Sequence, residues 1–416
     1  MATILQINTI AVNGSTGRIT EGIGEAAIRH GYSSFIAYGR NSPSSSKSGL
    51  IRIGSEFDVF EHVLETRLFD MQGLASRKAT KLFVKQIDDI RPDLVHLHNI
   101  HGNYINYKIL FDYLVEKDIP IVWTLHDCWA FTGHCVHFTD VECYKWKVKG
   151  NKDGNCSKCP KKKGYPNSYL FDRSKQNFLD KQKYFTRINN MIIVPVSHWL
   201  GDITSESFLG KYPIHVIQNG IDVDVFYPIP NSIESVRQKY GIGKRFMILG
   251  VATGWSDDVG MSDFFWLSEK LSNEHFAIVM VGLTEKQIKA LPAGIIGITR
   301  TWDANELAEI YTAADVTFNG SFQETFGLVT AESMACGTPV IVYDSTACPE
   351  IVTDKQTGYV VQVGDRNMLL NRILMLSQNQ DRKHINQKCV NYVRENLSKQ
   401  QKYDEYIDIY NTILSL

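Results

Sequence analysis

The amino-acid sequence predicts an α/β protein with two doubly wound parallel sheets, and three observations support this fold class. Short apolar runs rich in Ile, Val and Leu recur along the chain and alternate poorly between polar and apolar residues. Strands of a parallel sheet have this composition because both of their faces are covered. The segments between the runs carry apolar residues at three- and four-residue spacing, which is typical of helices. The alternation pauses at residues 226–232, where two prolines, Asn231 and Ser232 indicate a linker.

The predicted elements follow this pattern in order along the chain. The strands expected before the linker are residues 3–7, 34–38, 93–98, 119–125, 191–196 and 214–218. The helices expected between them are residues 57–69, 75–90 and 103–116. The strands expected after the linker are residues 246–251, 276–282, 295–299, 315–318, 338–342 and 358–361. We therefore expect domains at residues 1–228 and 229–395 that face a ligand cleft, and a C-terminal amphipathic helix at 396–416 that packs back on the first domain.

Composition excludes several other classes of protein. The chain has 416 residues, of which 44% are hydrophobic and 21% charged, so it can bury a sizeable core. This excludes a disordered chain and a small disulfide-stapled protein. Lys+Arg is 44 and Asp+Glu is 45, which argues against nucleic-acid binding driven by bulk charge. No basic N-terminal region precedes a long apolar stretch, and no apolar run reaches the roughly 18 residues that span a bilayer, so we expect a cytoplasmic protein.

A glycine-containing loop directly follows the first predicted strand and precedes a helix. It consists of Asn13, Gly14, Ser15, Thr16, Gly17 and Arg18. Glycines allow a tight turn and a close approach of backbone to ligand, and the helix N-terminus behind them favours an anion. The loop lacks the full GxGxxG spacing, so an ordinary β-to-α turn explains it equally well.

Two glutamates flank a glycine in the second half of the chain. Glu324 and Glu332 are separated by seven residues, with Gly327 between them, and Glu332 is expected a little over one turn into a helix. The unsatisfied N–H groups at this helix start belong to Phe326, Gly327 and Leu328. Such N–H groups bind phosphate, and carboxylates accept hydrogen bonds from sugar or ribose hydroxyls. The alternative is a pair of solvated glutamates at the start of a helix.

These motifs together resemble those of the retaining glycosyltransferases of family 4, which are nucleotide-sugar enzymes of GT-B fold with two Rossmann-like domains. The matching segments occur in the family's order and cover residues 13–18, 92–98, 124–127, 216–222 and 324–339. The segment 126–135 is similar to a subgroup from bacterial gene clusters for exopolysaccharide, capsule and colanic-acid-type polymers. The resemblance extends over almost the whole chain.

The resemblance implies an enzyme, a hexosyltransferase that moves a sugar from a nucleotide-diphosphate sugar to a polysaccharide or lipid-linked saccharide acceptor. It implies retention at the anomeric carbon, no catalytic metal, an acceptor on the first domain and the donor on the second. It places Glu324 at the donor sugar near the reacting carbon, gives His126 a hydrogen bond to that sugar, and places Glu332 at the ribose. It places the backbone of Phe326, Gly327 and Leu328 at the sugar and diphosphate, and Arg300 at the nucleotide base. Gly17 and Arg18, in the glycine loop with Gly14, would line the diphosphate and acceptor side.

One segment departs from the family's pattern, which usually has an Arg and a Lys after the first strand of the second domain. Gly254 stands at the Arg position, Val259 at the Lys position, and Asp257 and Asp258 add negative charge. Losing a preorganised donor at a developing charge costs about 3–4 kcal/mol. The candidate compensating cations are Arg18 and Arg300. A divalent ion recruited by the two aspartates stays open as an alternative.

Residues 135–167 break the α/β alternation and are predicted to be an insertion in the first domain. The insertion holds four of the eight cysteines, Cys135, Cys143, Cys156 and Cys159. Their C-x7-C-x12-C-x2-C spacing fits a structural zinc site. A bound zinc ion would stabilise the fold of a polar segment that has few apolar residues to bury. Reduced free thiols and a pair of disulfides are the alternatives.

The same insertion is basic. Its lysines are Lys145, Lys147, Lys149, Lys152, Lys158, Lys161, Lys162 and Lys163, with Asp153 the only acid among them. A cluster of this kind docks on anionic lipid at about 1 kcal/mol per lysine near the surface, and Trp146 and Tyr165 suit an interface. This predicts peripheral contact with the inner face of the cell membrane. A solvated loop is equally compatible with the sequence.

Other readings of the sequence also stay open. His96, His98 and His101 lie at a strand end and its loop, where we expect a cleft-lining or structural role rather than a metal site. A nucleotide-sugar epimerase of GT-B fold would bind the donor without an acceptor, although the Glu324 and His126 motifs disfavour it. A non-catalytic homologue with a degenerate diphosphate site would bind nucleotide or glycan without turnover.

Overall fold

The computed structural model describes residues 1–41, 45–149, 154–301, 303–378 and 382–415. The chain divides into two compact units. The N-terminal unit consists of Met1–Gln218 together with Lys402–Leu416, and the C-terminal unit is Asn219–Gln401.

The N-terminal unit contains a six-stranded parallel sheet. Its strands are β1 (Thr3–Ile10), β2 (Ser33–Arg40), β3 (Gly49–Arg52), β4 (Leu94–Leu97), β5 (Ile121–Leu125) and β6 (Met191–Pro195). The strand order is β3-β2-β1-β4-β5-β6, so the direction of winding reverses between β1 and β4. In doubly wound sheets, ligands bind outside the carboxyl ends of the strands at such a reversal.

Helices cover both faces of this sheet. They are α1 (Gly14–Arg29), α2 (Glu56–Phe69), α3 (Arg77–Ile90), α4 (Tyr107–Glu116), α5 (Ser174–Phe185) and α6 (His198–Ser205). The C-terminal helix α14 (Lys399–Leu414) adds its buried side to the core formed by α1 and strands β1, β4, β5 and β6. Its buried residues are Tyr403, Tyr406, Ile407, Ile409, Tyr410 and Ile413.

The C-terminal unit repeats this topology. Its strands are β7 (Phe246–Val251), β8 (Phe276–Val281), β9 (Ile295–Ile298), β10 (Val316–Asn319), β11 (Val340–Tyr343) and β12 (Gly358–Val361). Its helices are α7 (Ile233–Lys239), α8 (Met261–Lys270), α9 (Glu285–Lys289), α10 (Ala304–Ala313), α11 (Leu328–Ala335), α12 (Arg366–Gln378) and α13 (Arg382–Asn396). The strand order is β12-β11-β10-β7-β8-β9, all parallel, so the winding reverses between β7 and β10.

The predicted strands agree with these sheets except at two places. The prediction of a strand at 214–218 was wrong, because Ile214 forms only an isolated bridge to Ile193 beside the edge strand β6. The N–H groups of His215 and Ile217 still donate to the carbonyls of Ile193 and Pro195 at 3.0 and 3.1 Å, but Pro213 has no N–H with which to extend the ladder. The short edge strand β3 was not predicted, because its four residues are too few to show a pattern.

The described part of residues 135–167 contains one 3-10 turn, Thr139–Val141, and no α-helix or strand. Its interior is aromatic: the Trp146 ring packs 5.1 Å from Phe131 and 4.9 Å from Phe138. Trp146 is therefore buried, and the expectation that it meets a membrane was wrong. Lys152 and Asp153, which belong to the predicted basic cluster, lie outside the described residues.

Candidate ligand sites at the carboxyl ends of the parallel strands

The loop after β1 and the first turn of α1 pack closely against each other. Val12 and Gly14 have positive φ angles of 64° and 71°. A Cβ at Gly17 would lie 3.2 Å from the backbone of Ala11 and Val12, so α1 packs this tightly on the loop because position 17 is glycine. The start of α1 has no side-chain cap and no acidic residue in its first turn, and the exposed Arg18 lies there. Its N–H groups are available to an anion.

The loop after β4 is held against the end of β1. Asn99 donates its N–H to Asn8 Oδ1 at 3.3 Å. Thr9 Oγ1 donates to the carbonyls of Asn99 at 3.1 Å and His101 at 2.6 Å. Gly102 adopts a φ of 102°, and a Cβ there would come within 2.6 Å of the Thr9 methyl. These contacts fix His101 at the winding reversal of the N-terminal sheet.

The loop after β5 brings an aspartate to His101. His101 Nε2 lies 2.7 Å from Asp127 Oδ2, and the Trp129 N–H donates to Asp127 Oδ1 at 2.8 Å. Burial alone would raise the pKa of Asp127, but the charge and hydrogen bond of His101 and the Trp129 N–H lower it to about 2. Asp127 is therefore a carboxylate at neutral pH. The Tyr165 hydroxyl stands 3.5 Å from the other His101 nitrogen, Nδ1.

His126 is oriented by a chain of buried polar groups. The Gln6 side-chain N–H donates to the Thr20 carbonyl at 2.8 Å. This fixes the orientation of the amide, so Gln6 Oε1 accepts from His98 Nε2 at 3.1 Å. His98 Nδ1 is then an acceptor for His126 Nε2 at 3.1 Å, and the two rings stack 5.4 Å apart. Burial lowers the pKa of His98 well below its usual value and that of His126 to about 4. Both rings are neutral, and the chain places the His126 proton on Nε2.

A third imidazole continues the stack beneath these two. The His96 ring lies 4.1 Å from His98, with Nδ1 2.6 Å from the Tyr410 hydroxyl and Nε2 2.8 Å from Thr124 Oγ1. Burial lowers its pKa well below the usual value, and nearby His126 adds to the effect. His96 and His98 thus have the structural role expected of them, and Tyr410 ties helix α14 to this stack.

In the C-terminal unit, α11 starts behind the loop that carries the predicted glutamates. Gly327 has a φ of 93° at the N-terminus of α11, which has no side-chain cap and no acid in its first turn. Phe326 is buried beside it, and Leu328 is the first helical residue. Glu332 is the fifth residue of α11 and is buried, where the Tyr311 hydroxyl donates to its Oε2 at 3.4 Å.

Glu324 is fixed through its backbone. Its N–H donates to Thr346 Oγ1 at 2.8 Å and its carbonyl accepts from the Ala347 N–H at 3.2 Å. Burial raises the pKa of its carboxyl, while hydrogen bonds from Ser321 and Asn319 act in the opposite direction. The loop after β11 therefore determines where this carboxyl lies.

The loop after β7 meets the loop after β10 through two glycines. A Cβ on Gly260 would lie 2.8 Å from the Gly320 Cα, and the Phe322 N–H donates to the Asp258 carbonyl at 2.9 Å. Asp257 and Asp258 are exposed. Gly254 has no heavy atom within 4 Å of an added Cβ, so the fold leaves room for a side chain there. Arg300 is exposed just beyond the edge strand β9.

The four cysteines of the insertion do not form a metal site in this structure. Cys135 donates a hydrogen bond to Cys159, which lowers the pKa of Cys159 to about 7 and contributes to raising that of Cys135. Cys156 accepts from the Gly133 N–H at 3.2 Å, and burial raises its pKa to about 12. Within the described ranges, no group of three or more His, Cys, Asp or Glu residues is placed to hold a metal ion. Zinc binding by Cys135, Cys143, Cys156 and Cys159 stays a prediction.

The pairing of His101 with Asp127 was not predicted from the sequence. Both residues follow neighbouring strands, β4 and β5, and carboxyl ends of neighbouring parallel strands meet at one edge of a sheet. That adjacency was the available signal. The third partner, Tyr165, comes from the irregular insertion, where no periodicity indicates which side chain turns inward.

Comparison with known proteins agrees with this architecture. The family described as Glycosyltransferase Family 4 matches residues 16–225, and the family described as Glycosyl transferases group 1 matches residues 259–396. The colanic acid biosynthesis glycosyl transferase WcaC of Escherichia coli (strain K12) is 23% identical over 366 residues, which cover 84% of this chain and 85% of that protein. Two further curated relatives are matched over less than half of their own length.

Solved structures are similar over nearly the whole chain. Sucrose-phosphate synthase from Thermosynechococcus elongatus has a TM-score of 0.71 at 15% identity and covers 100% of both chains. Anabaena Alr3699/HepE in complex with UDP-glucose has a TM-score of 0.70 at 13% identity, over 99% of this chain and 100% of that one. At these identities the likeness shows the fold.

The histidine stack predicts acid-sensitive stability. An unfolded histidine titrates near 6.5, whereas His96, His98 and His126 have lower pKa values in the folded protein. Their contribution is complete above about pH 6.5 and is lost as the pH falls toward the folded values, at up to about 1.4 kcal/mol per pH unit for each histidine. Urea unfolding at pH 7.5, 6.5 and 5.5 should show this decline.

In the H126Q variant, the free energy of unfolding should fall less between pH 6.5 and 5.5, and the difference should be about the contribution of one histidine. H30Q, at an exposed histidine on the surface of the same unit, is the matched control and should leave it unchanged. A free energy of unfolding that is constant from pH 7.5 to 5.5 would contradict the neutral stack.

Proposed function

Because the chain belongs to glycosyltransferase family 4 and has the GT-B architecture, we propose that it transfers a sugar from a nucleotide-diphosphate sugar to a saccharide acceptor with retention at the anomeric carbon. The observation that carries the proposal is the loop before α11, where two fixed carboxyls flank an uncapped helix N-terminus. Carboxyls that accept from hydroxyls and N–H groups that donate to phosphate together suit a nucleotide sugar. The complex of Anabaena Alr3699/HepE with UDP-glucose supports this ligand class on the same fold.

The donor would be held by the C-terminal unit. Glu332, buried and held by Tyr311, would accept from the ribose hydroxyls, and Glu324 would meet the sugar hydroxyls near the reacting carbon. The N–H groups at the start of α11 would face the diphosphate, where fixed dipoles stabilise the charge that develops on the leaving group. Arg300, beyond β9, is the candidate for a contact with the base.

The acceptor would be held by the N-terminal unit. The first turn of α1, from Gly14 to Gly17, would present its N–H groups beyond the end of β1, and Arg18 would add a cation. His126, half-buried at the end of the stack, would hydrogen-bond a hydroxyl of the donor sugar. The similarity to a protein of colanic acid biosynthesis supports a polysaccharide intermediate as the acceptor class.

The absence of the family's usual Arg at position 254 yields a gain-of-function test. A Cβ at Gly254 would meet no heavy atom within 4 Å and its φ lies outside the left-handed region, so the backbone accepts G254R, which places a cation at the family's Arg position. We expect kcat/KM to rise by about tenfold or more, since a preorganised donor at a developing charge contributes about 3–4 kcal/mol. Transfer of labelled sugar from the donor measures this, after a thermal-shift panel of UDP-, GDP-, ADP- and CMP-sugars has identified the nucleotide.

T253R adds the same charge one residue away on the same exposed loop and is the matched control. Equal rates for wild type, G254R and T253R would mean that the diphosphate is neutralised elsewhere. Donor binding without turnover in all three would favour the non-catalytic alternative, and an isomerised donor would favour the epimerase.

A contact with the membrane is supported by a helix whose apolar side faces outward. On α2, Phe57 and Phe60 are 68% and 65% exposed, while the inward side of the helix carries Val59, His62 and Thr66. Leu64 extends the same exposed stripe. Apolar residues of a surface helix usually face the core, so three large apolar side chains on the outer side are a departure from that pattern. An exposed apolar stripe of this kind marks a site of interaction.

The stripe continues into the end of the insertion. Its further members are the exposed residues Phe69, Tyr169, Leu170 and Phe171. The rings of Phe69 and Phe171 stack 5.6 Å apart, and the Tyr169 N–H donates to the Arg67 carbonyl at 2.7 Å. Lys162 and Lys163 lie a few residues before this segment, and Tyr165 links the insertion to His101. An anionic bilayer under this stripe would present a lipid-linked saccharide to the loops that carry His101 and His126.

Among the described residues, no helix has both the length and the apolar character needed to cross a bilayer. The expected mode of contact is therefore insertion of the stripe into the headgroup region. The protein should float with vesicles that contain anionic lipid, and high salt should weaken flotation without abolishing it, because the apolar stripe contributes independently of charge.

The F57S/F60S/L170S variant should lose flotation, whereas M375S, at an exposed apolar residue of the C-terminal unit, should retain it. Transfer to a soluble acceptor should be unchanged in both. A wild-type protein that stays with the aqueous fraction but dimerises through the stripe would show that the stripe binds a second copy instead.

A further inference from the structure

Three aromatic rings meet at the carboxyl ends of β4 and β5, and they differ in how far solvent reaches them. The His101 ring lies 5.3 Å from Trp129 and 6.1 Å from Tyr165. His101 is 7% and Trp129 is 2% exposed, whereas Tyr165 is 50% exposed. Of these three rings, Tyr165 is therefore the one that a ligand can cover without rearranging the loops.

The hydroxyl end of Tyr165 is held at this edge by residues of two other segments. It accepts a hydrogen bond from Gln72 Nε2 at 3.4 Å and lies 3.5 Å from His101 Nδ1. Burial raises the pKa of Tyr165, so its hydroxyl is uncharged at neutral pH. Because the hydroxyl is the buried end, the exposed half of this side chain consists of apolar ring.

Gln72 holds the ring at a cost to the fold. It is 3% exposed, and among the described residues its Oε1 has no hydrogen-bond partner. A buried oxygen without a partner destabilises the folded state, and the amide nevertheless keeps its N–H on the Tyr165 hydroxyl. An exception of this kind among buried polar groups points to a role in a site.

Charged groups lie near the same end of the ring. Beyond the effect of burial, Asp127 raises and Arg40 lowers the pKa of Tyr165, so both charges act at its hydroxyl. Arg40 is the exposed last residue of β2. A pyranose has an apolar face of C–H groups and a rim of hydroxyls, so its binding site needs an apolar surface beside hydrogen-bonding groups. This edge of the sheet provides both.

We propose that Tyr165 is a stacking platform for a pyranose ring of the saccharide acceptor, and that Gln72 positions it; this inference rests on the proposed function. The platform belongs to the insertion at 135–167 rather than to the α/β core. Recognition of the acceptor is therefore a property of the insertion. The platform acts in binding and not in bond breaking, so it is independent of the stereochemical course of the transfer.

The test uses the full chain with the donor that the thermal-shift panel selects. The soluble acceptors are methyl glycosides of glucose, galactose, mannose and N-acetylglucosamine. Y165A removes the ring, Y165L fills the space beside His101 without an aromatic face, and Y165F keeps the ring. We expect the acceptor KM to rise about tenfold or more in Y165A and Y165L, and about threefold or less in Y165F. Uniform binding leaves kcat and the donor Kd within about twofold of wild type.

Y144A is the matched control, since Tyr144 is 52% exposed on the same insertion, and it should keep the wild-type KM. An acceptor KM within about twofold of wild type in Y165L would overturn the platform, and this variant decides the question if Y165A does not fold. Loss of vesicle flotation in Y165A with an unchanged KM would assign the ring to a membrane contact instead. If wild type transfers no sugar to any of these acceptors, it is the proposed function that fails.

Discussion

The buried stack of three imidazoles is the constraint on which the N-terminal unit depends. His96 and His98 are buried and His126 is half-buried, and all three are held as neutral rings, each of which offers one donor and one acceptor. Gln6 supplies the acceptor for the middle ring, His98, and Tyr410 and Thr124 bind the two nitrogens of His96 at the inner end. The stack runs from the C-terminal helix to the strand ends, so the helix, the sheet and the site residue His126 depend on one another.

The sequence was sufficient for the architecture because parallel strands and their loops leave local patterns. Gly327 and the two glutamates lie before and within α11 as the motif predicted, whereas the predicted loop at 13–18 is mostly the first turn of α1. Side-chain pairing across loops has no such pattern, and so the His101–Asp127 contact and the inward turn of Trp146 were missed. The cysteine spacing indicated proximity correctly for Cys135 and Cys159 but did not determine the coordination geometry that a metal requires.

The two units solve the problem of binding charge in different ways. The N-terminal unit places Arg18 beside an uncapped helix start. The C-terminal unit has an uncapped helix start as well, but exposes Asp257 and Asp258 where cations are usual in this family and leaves Gly254 bare. At the start of α11 the backbone N–H groups therefore supply the positive potential in that unit, which makes the position of the helix more important than the identity of nearby side chains.

The contact between Gly260 and Gly320 limits how the donor specificity of this scaffold can be redesigned. Neither position can accept even a methyl group, because each backbone fills the space that the other's Cβ would need. A library randomised at these two positions would consist mainly of misfolded members. Productive diversity has to come from the positions around them that face open space, of which Gly254 and Arg300 are the first to choose.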